Sequence, residues 1–459
     1  MQKIVIDTNV FVSSLIQRNF IIKITPMKKL IFLAFTILSL GATAQTDKQR
    51  QTIKTKADAI DTKVIAWRRQ LHEHPELSNR EFNTSAMVAK HLQSLGIEVK
   101  TGVAKTGVIG ILKGALPGPV IALRADMDAL PVLEKNDLPF ASKVTGEFNG
   151  QTVPVMHACG HDTHVAILMG VAEILSSMKS ELKGTVKFIF QPAEEGAPAG
   201  EEGGAYLMVK EGVLENPKVD VIFGLHISSD VEVGKINYRP GGAMAGAMDL
   251  KITVKGKPSH GAYPWLSVDP ILTASQIVTS LQTVVSRNLD ITKNGGIVTI
   301  GSIHGGNRGN IIPEQVEMMG TVRTLSTEDS KLFIRRINEI VTHTAEAAGA
   351  TAEVKLPYTI SYPVTYNDPA LTAKMLPSLK KSAGEANIVL AQAKTGSEDF
   401  SYFAEKVPGL FIFLGGMPKG KDPATAGPHH TPQFFIDDSG LKLGVNAMCN
   451  LVMDYGSGK

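Results

Sequence analysis

The stretch Met156–Val165 reads Met-His-Ala-Cys-Gly-His-Asp-Thr-His-Val and is dense in side chains that bind metals. It holds one of the two cysteines of the chain and three histidines: Cys159, His157, His161 and His164. Thiolate and imidazole bind borderline-soft divalent metals such as zinc. A single glycine separates Cys159 from His161, so a tight loop could aim both at one centre. From these residues alone, an ordinary helix N-terminus with Asp162 as its cap remains the alternative.

The sequence on either side of this loop follows an α/β pattern. A 3.6-residue apolar period after Asp162 predicts a helix, and buried strands are expected at Val120–Arg124, Thr185–Phe190 and Val219–Gly224. Ligand-type residues follow these strands in three sets: Asp126 with Asp128, Glu194 with Glu195, and His226. Each acidic pair alone could be a solvated loop. Because α/β folds place their sites at the carboxyl ends of strands, the three sets together favour one functional site.

The composition limits the classes of function. The chain has 459 residues, 43% of them hydrophobic, and a net charge of +3, which fits two or three globular domains. No basic run or stacking pattern of aromatic residues is present, so we expect no nucleic-acid partner. Cys159 lies in the metal-type loop and Cys449 in an amphipathic C-terminal helix. We therefore expect a ligand and a core residue rather than a disulfide.

Residues 27–44 have the three parts of an export signal. These are basic Met27-Lys28-Lys29, apolar Leu30–Gly41 and the small-x-small cleavage site Ala42-Thr43-Ala44. The segment is too short to span a membrane, and no lipid-anchor cysteine follows it, so we expect a periplasmic or secreted protein without a stable membrane anchor. Residues 1–26 are then a fused or wrongly assigned upstream extension. The alternative is a genuine cytoplasmic N-terminal extension.

A second pattern begins near Gly241. Strands are expected at 248–254, 297–303, 316–324 and 352–356, and helices at 269–288 and 327–348. This β-α-β-β-α-β order is that of the ferredoxin-like split unit. We therefore predict a catalytic domain in two parts, residues 45–241 and 358–459. Residues 242–357 form a smaller α+β domain inserted between them.

Several motifs, in this order, resemble a family of metal-dependent amidohydrolases. The family includes hippurate hydrolase, N-acyl-amino-acid and N-acetyldiaminopimelate deacetylases and plant auxin-conjugate hydrolases, within the aminoacylase and carboxypeptidase superfamily. The resemblance extends from about Ile60 to Tyr455. Its motifs are Leu123–Pro131, Met156–His164, Phe190–Glu195, Gly224–His226, Ser259–Pro264, Gly396–Phe400 and the His429-His430 region. It implies an α/β, mixed-sheet dinuclear metallohydrolase domain with an inserted ferredoxin-like domain that serves as lid and dimerisation module.

The resemblance implies two divalent metal ions and a set of protein ligands. The ligands are Cys159, His161, Glu195, His226 and His430. These five side chains do not fill all the coordination positions of two four-coordinate ions, so bridging groups and a water molecule can occupy the rest. Spacing alone does not decide whether His161 or His164 is the ligand, nor whether His430 or His429 is. Thiolate favours zinc, while the resemblance also allows manganese, cobalt or nickel.

The catalytic residues are also implied by the resemblance. Glu194 would be the general base, which takes a proton from the metal-bridging water and passes it to the leaving amine. If the strand end is extended, Glu194 and Glu195 point in opposite directions, so they cannot both be ligands. Asp128 resembles an acid that orients a metal ligand through a hydrogen bond. His260 could stabilise the oxyanion of the tetrahedral intermediate.

Two further residues are candidates for binding the substrate. Asn310 and Arg323 could hold the substrate carboxylate, Arg323 through a bidentate pair. Alternatively, Asn310 shapes a glycine-rich loop and Arg323 is a surface charge. The expected reaction is hydrolysis of the amide bond of N-acyl amino acids or similar small amides, with a dipeptidase or carboxypeptidase activity on the same site as the alternative. A non-catalytic binding protein is disfavoured by the intact ligand positions and Glu194. A homodimer through the inserted domain is expected.

Overall fold

The computed structural model describes residues 26–359 and 361–458, with side chains from residue 47 onward. The chain divides into residues 1–54 and residues 55–459, and the description below concerns the second unit. The predicted extension lies almost entirely outside the described residues, as do the side chains of the predicted signal segment. Within the described part of the chain, no helix combines the length and hydrophobicity needed to cross a membrane.

The strands and helices are numbered in chain order. The strands are β1 (Glu98–Val103), β2 (Gly107–Lys113), β3 (Leu116–Asp126), β4 (Thr145–Phe148), β5 (Gln151–Pro154), β6 (Lys183–Gln191), β7 (Val221–Glu232), β8 (Ile236–Tyr238), β9 (Gly241–Met244), β10 (Gly246–Lys255), β11 (Ser259–His260), β12 (Gly296–His304), β13 (Ile311–Ile312), β14 (Gln315–Thr324), β15 (Thr351–Lys355), β16 (Ser361–Tyr362), β17 (Thr365–Asn367), β18 (Ile388–Leu390) and β19 (Gly409–Met417). The helices are α1 (Pro26–Glu73), α2 (Phe82–Ser94), α3 (His161–Ser177), α4 (Gly204–Lys210), α5 (Pro270–Thr283), α6 (Thr327–Ala347), α7 (Pro369–Ala383), α8 (Ser401–Ala404) and α9 (Leu441–Gly456).

The main sheet has eight strands in the order β1-β2-β6-β3-β7-β19-β8-β18. Its centre, β6-β3-β7-β19, is parallel. The pairs β1-β2, β2-β6 and β19-β8 are antiparallel, and the edge strand β18 pairs with β8 in parallel fashion. Helices α3 and α9 pack on one face, and α4 and α8 on the other. The central strands are buried on both faces, which explains their continuous apolar runs. The predicted mixed-sheet α/β fold is confirmed.

A second sheet is built from residues 246–355. Its strand order is β12-β14-β10-β15, all antiparallel, and β16, which follows these residues in the chain, pairs with the first residues of β10. Helices α5 and α6 pack on this sheet around the buried side chains of Ile252, Ile277, Phe333 and Ile337. The order of elements and of strands is that of a ferredoxin-like unit. The role of this unit as lid and dimerisation module stays a prediction.

Candidate active site

Three neighbouring strands of the main sheet carry the first residues of the site. Asp126 is the last residue of β3, and in the parallel strand pairing it lies opposite Gln191, the last residue of β6. On the other side of β3, the backbone of Arg124 lies opposite that of Gly224 in the parallel strand β7. His226 was expected just past the end of its strand, but β7 continues to Glu232. The reason is that β19 runs beside β7 and extends its pairing beyond His226.

Gly160 aims the side chains on either side of it at one place. Its φ of +95° lies in the left-handed region, and a Cβ here would lie 2.3 Å from Cγ2 of Ile227. Only glycine fits this turn without strain. Cys159 precedes the turn and His161 begins α3, so both side chains reach the carboxyl ends of the parallel strands.

The predicted ligands converge from distant parts of the chain. Sγ of Cys159 lies 3.4 Å from Nε2 of His226 and 3.3 Å from Nε2 of His430. Nε2 of His430 lies 3.0 Å from Oε1 of Glu195, although the geometry of this contact is not that of a hydrogen bond. The ligand atoms of Cys159, His161 and His226 lie within 4.8 Å of one another, and so do those of Cys159, Glu195 and His430. Cys159 is common to both groups.

Glu194 and Glu195 lie in a turn that follows β6, not on extended backbone. Ala193, at φ +52°, opens this turn. The expectation that the two side chains point in opposite directions is therefore wrong, because it assumed an extended strand end. Oε2 of Glu194 and Oε1 of Glu195 lie 3.8 and 4.0 Å from Nε2 of His161. Both carboxylates thus face the same imidazole.

Asp128 holds the turn and the imidazole together. Its two carboxylate oxygens accept hydrogen bonds from the backbone N–H groups of Glu194 and Glu195, each at 3.0 Å. Nδ1 of His161 lies 2.9 Å from the backbone oxygen of Asp128 and 3.3 Å from its Oδ1. Ser78 donates a further hydrogen bond to Oδ2 at 2.7 Å. Asp128 therefore lies where an acid that orients His161 is expected.

The ring nitrogens of His164 and His429 already contact other groups, and His157 belongs to none of the groups of ligand atoms. Nδ1 of His164 lies 2.5 Å from Oδ1 of Asp126, and its Nε2 accepts a hydrogen bond from Ile227 N at 2.8 Å. His429 lies with Nδ1 3.2 Å from Cys159 O, and its Nε2 accepts from Ser229 N at 3.2 Å. His157 is buried, which lowers its pKa to about 4. These contacts favour His161 and His430 as the ligands in their respective pairs.

Arg124 forms a buried ionic centre that was not recognised in the sequence. Its guanidinium lies 2.6 Å from Oδ2 of Asp126 and 2.8 Å from both Oε1 of Glu398 and Oδ1 of Asp399. Its Nε donates to Oε1 of Gln191 at 2.7 Å. An arginine inside an otherwise apolar strand was the available signal, because a buried charge needs partners. Arg124 thus fixes the acidic residues behind the ligands.

The pKa shifts of the site residues show that the site favours binding a cation. Burial disfavours the charged form of His161, but Asp126 and Asp128 outweigh it and raise the pKa of His161 to about 10. Burial, helped by repulsion from Glu398 and Glu195, raises the pKa of Glu194 well above its usual range. Burial and the carboxylates of Glu195 and Glu194 likewise raise the pKa of the Cys159 thiol. Crowded carboxylates of this kind attract protons or metal ions.

Among the proposed ligands, two buried side-chain atoms make no hydrogen bond to any described residue. They are Nε2 of His161 and Oε1 of Glu195. Buried polar atoms are normally hydrogen-bonded, so an imidazole nitrogen and a neighbouring carboxylate oxygen that lack a hydrogen bond are the expected state of metal ligands. Oε1 of Glu195 does contact Nε2 of His430, which is itself a proposed ligand. The donor set of one thiol, three imidazoles and a carboxylate suits a divalent transition metal. These residues therefore fit the implied cofactor.

A cavity of about 490 Å³ opens beside the ligands. Arg323 from the inserted unit lines this cavity, and its Nη1 donates to Oγ of Ser397 at 3.2 Å. Arg323 is therefore not a free surface charge. His260 and Asn310 do not line this cavity. They lie beside each other at the small ribbon β11–β13, where both are exposed, so within one chain the structure does not bring them to the ligands.

Comparison with known sequences identifies the family. Residues 122–454 match the sequence model of peptidase family M20/M25/M40. The chain belongs to this family. The resemblance that the motifs indicated is thereby confirmed at the level of the family, which comprises hydrolases.

Similar proteins extend over nearly the whole chain. Thermostable carboxypeptidase 1 of Saccharolobus solfataricus is 40% identical over 409 residues, which cover 88% of this chain and 98% of the relative. N-acetylcysteine deacetylase of Bacillus subtilis is 40% identical over 399 residues, covering 86% and 97%. The crystal structure of the Bacillus subtilis YXEP protein, a dinuclear metal-binding peptidase of the M20 family, aligns with a TM-score of 0.72. It is 37% identical and covers 87% of this chain and 99% of its own.

Proposed function

We propose that this protein is a metal-dependent amidohydrolase that binds two divalent metal ions and cleaves the amide bond of N-acyl amino acids. The observation that carries the proposal is the position of Cys159, which belongs to two groups of ligand atoms at once. The groups are completed by His161 with His226, and by Glu195 with His430. Two overlapping groups are what a pair of neighbouring ions requires.

The identity of the metal is a separate part of the proposal. One thiol and three imidazoles favour zinc over harder ions. Manganese, cobalt and nickel are the alternatives, because Glu195 and water oxygens would complete a harder coordination sphere. Metal analysis of protein purified without added metal distinguishes these cases.

Glu194 is the proton carrier in the proposed reaction. When bound, divalent ions would lower the pKa of water toward neutrality and polarise the scissile carbonyl. Glu194 is buried and lines the cavity, its Oε2 lies 3.8 Å from Nε2 of His161, and Asp128 accepts a hydrogen bond from its backbone N–H. Its raised pKa suits a group that takes a proton from the attacking water and returns it to the amine nitrogen. Glu195, its neighbour, serves as a ligand.

Arg323 is the proposed binding residue for the substrate carboxylate. It reaches the cavity from the inserted unit, and its remaining guanidinium donors can form a bidentate pair. His260 and Asn310 would contribute only after the inserted unit moves, or from a second copy of the chain. Their roles, and a homodimer through this unit, are part of the proposal.

The competing activity is removal of an amino acid from a peptide by the same chemistry. The similarity to a carboxypeptidase at 40% identity favours it as the second candidate. Both candidates need the same ligands, the same base and a cation for the carboxylate. They differ in whether the cavity accepts a free amino group on the acyl side.

A hydrolysis screen tests the proposal. Metal-loaded protein should release amino acids from N-acetyl-, N-benzoyl- or indoleacetyl-amino acids faster than from dipeptides. Removal of the metals, verified by metal analysis, should abolish turnover. Cleavage of dipeptides alone would favour the peptidase, and full activity without bound metal would contradict the proposed chemistry.

Export is proposed from the sequence of residues 27–44. The basic, apolar and small-residue regions are complete when translation starts at Met27. Protein expressed from Met27 should be exported and should begin at Gln45 after cleavage. N-terminal sequencing of the native protein checks this, and a sequence that starts at Met1 would contradict it.

A further inference from the structure

A second cation, Lys394, faces the cavity next to the proposed ligands. Its Nζ donates a hydrogen bond to Oγ of Ser228 at 3.2 Å and lies 4.5 Å from the ring centroid of Phe413. The residue is half-buried and lines the same cavity as Arg323. Lys394 comes from the loop before Gly396, and no role was assigned to it from the sequence.

Neither cation has an acidic partner in the described part of the chain. The ion pairs of the cavity carboxylates lie elsewhere: Glu398 pairs with Arg124, and Glu195 lies beside His430. An ammonium group has three donors, and one hydroxyl acceptor satisfies only one of them. Arg323 likewise donates to a single hydroxyl, that of Ser397. The cavity therefore presents two cations with unused donors.

The surroundings of Lys394 favour an anionic ligand. Burial lowers the pKa of Lys394, and the carboxylate of Asp230 acts in the opposite direction. Asp230 is close enough to favour the charged ammonium but forms no ion pair with it among the described contacts. A partly desolvated charge is costly unless it is paired. A carboxylate in the cavity would supply this pairing.

We propose that the cavity selects N-acyl amino acids that carry a second carboxylate, with Lys394 binding that group while Arg323 binds the α-carboxylate. This inference rests on the proposed function and narrows its substrate class. The second carboxylate could belong to an acidic amino-acid side chain or to a dicarboxylic acyl group. The two sources share the same chemistry and are separated by the choice of substrates.

The test uses two pairs of substrates that differ only in the second charge. N-acetyl-L-glutamate is compared with N-acetyl-L-glutamine, and N-succinyl-L-leucine with N-butyryl-L-leucine. Wild-type protein should prefer the charged member of at least one pair in kcat/KM. Lys394→Met should reduce that preference by about 10- to 100-fold, the usual effect of losing a hydrogen bond to a charged group. Lys406→Met, at an exposed lysine outside the cavity, is the control and should keep the wild-type preference.

The preference is a ratio of two kcat/KM values measured on the same variant. A general loss of folded protein lowers both values equally and cancels in this ratio. The pair that responds identifies the source of the second carboxylate. A wild-type preference for both uncharged members, or an unchanged ratio in Lys394→Met, would overturn the inference. If no N-acyl amino acid is hydrolysed, the proposed function fails. Calorimetric binding of the same four compounds to wild-type protein and Lys394→Met then still tests whether Lys394 selects the second carboxylate.

Discussion

Nε2 of His161 and Oε2 of Glu194 face each other across 3.8 Å, too far for a hydrogen bond and close enough for one ligand to contact both. The carboxylate of the neighbouring Glu195 lies at 4.0 Å from the same nitrogen. Both glutamates therefore face Nε2 of His161, and only Glu195 also belongs to the group formed with Cys159 and His430. Substitution can separate them.

Glu195→Gln should lose metal, because a neutral amide is a poorer ligand than a carboxylate. Glu194→Gln should keep its metals and substrate affinity but lose the proton carrier, which lowers kcat by about 10²- to 10⁴-fold. Metal analysis and kinetics on the same preparations check both. Loss of metal in Glu194→Gln with retention in Glu195→Gln would reverse the two roles. Full activity of Glu194→Gln would exclude it as the base.

Metal binding should release protons from the metal-free protein. The pKa of His161 is about 10, so at neutral pH this imidazole is charged and must lose a proton to bind a metal. The Cys159 thiol, whose pKa burial raises, must lose one as well. Calorimetry in buffers of different ionisation enthalpy counts these protons. Cys159→Ser should release about one proton fewer. Metal binding without proton release would contradict the assignment.

The raised pKa of His161 also predicts how the stability of the metal-free protein depends on pH. The pKa of His161 in the folded chain lies above its ordinary value of 6.5. Its pairing with Asp126 and Asp128 is therefore fully stabilising below pH 6.5 and is lost as the pH rises through about 10. The thermal midpoint of metal-free wild type should fall relative to that of His161→Asn across this window. Parallel curves for the two proteins would show that His161 does not titrate there.

Arg124→Met should destabilise the fold strongly. It would leave Asp126, Glu398 and Asp399 without their buried cation, and breaking a buried pair typically costs about 3–5 kcal/mol. The free energy of unfolding in urea measures this. Arg335→Met, which removes an exposed contact to Glu339, should change it by less than about 1 kcal/mol. Similar values for both variants would show that the buried pairs contribute little.

His260→Ala should lower kcat by about 10²- to 10³-fold if His260 reaches the oxyanion, and metal content should stay normal. His304→Ala, at an exposed histidine on β12 of the same unit, serves as the control and should keep the wild-type kcat. Wild-type turnover by His260→Ala would leave this residue with a purely local role, since its Nδ1 accepts a hydrogen bond from Ala262 N at 3.0 Å.

Sequence periodicity located most long elements because they bury one continuous apolar face. The helix expected at 327–348 is α6 at Thr327–Ala347, where Phe333, Ile337 and Val341 are buried and Ser326 caps the first turn. The β4–β5 hairpin was missed, although its turn, Asn149-Gly150, carries a known hairpin signal. Both residues have positive φ, +50° and +78°. Short strands with mixed burial gave no apolar period to detect.

The candidate site was only partly predictable for a different reason. Ligand types and their order were readable, but the direction of Glu194 depended on the positive φ of Ala193, which local preference does not require. The contacts of Arg124 with Glu398, and of Lys394 with Ser228, join residues 274 and 166 positions apart. Such pairings are decided by how the sheet is assembled. For Arg124 the apolar strand around it was a local signal, but no local pattern distinguishes Lys394 from a surface charge.

The last strand of the main sheet, β19, is inserted between β7 and β8, and His430 follows it. During synthesis, the chain emerges N-terminus first, so this slot stays open until almost the entire polypeptide has left the ribosome. A product released before residue 409 would expose a bare apolar edge of β7, which invites intermolecular strand pairing. It would also lack His430. Truncated chains should therefore aggregate and remain inactive, which makes a complete translation product a condition of metal loading.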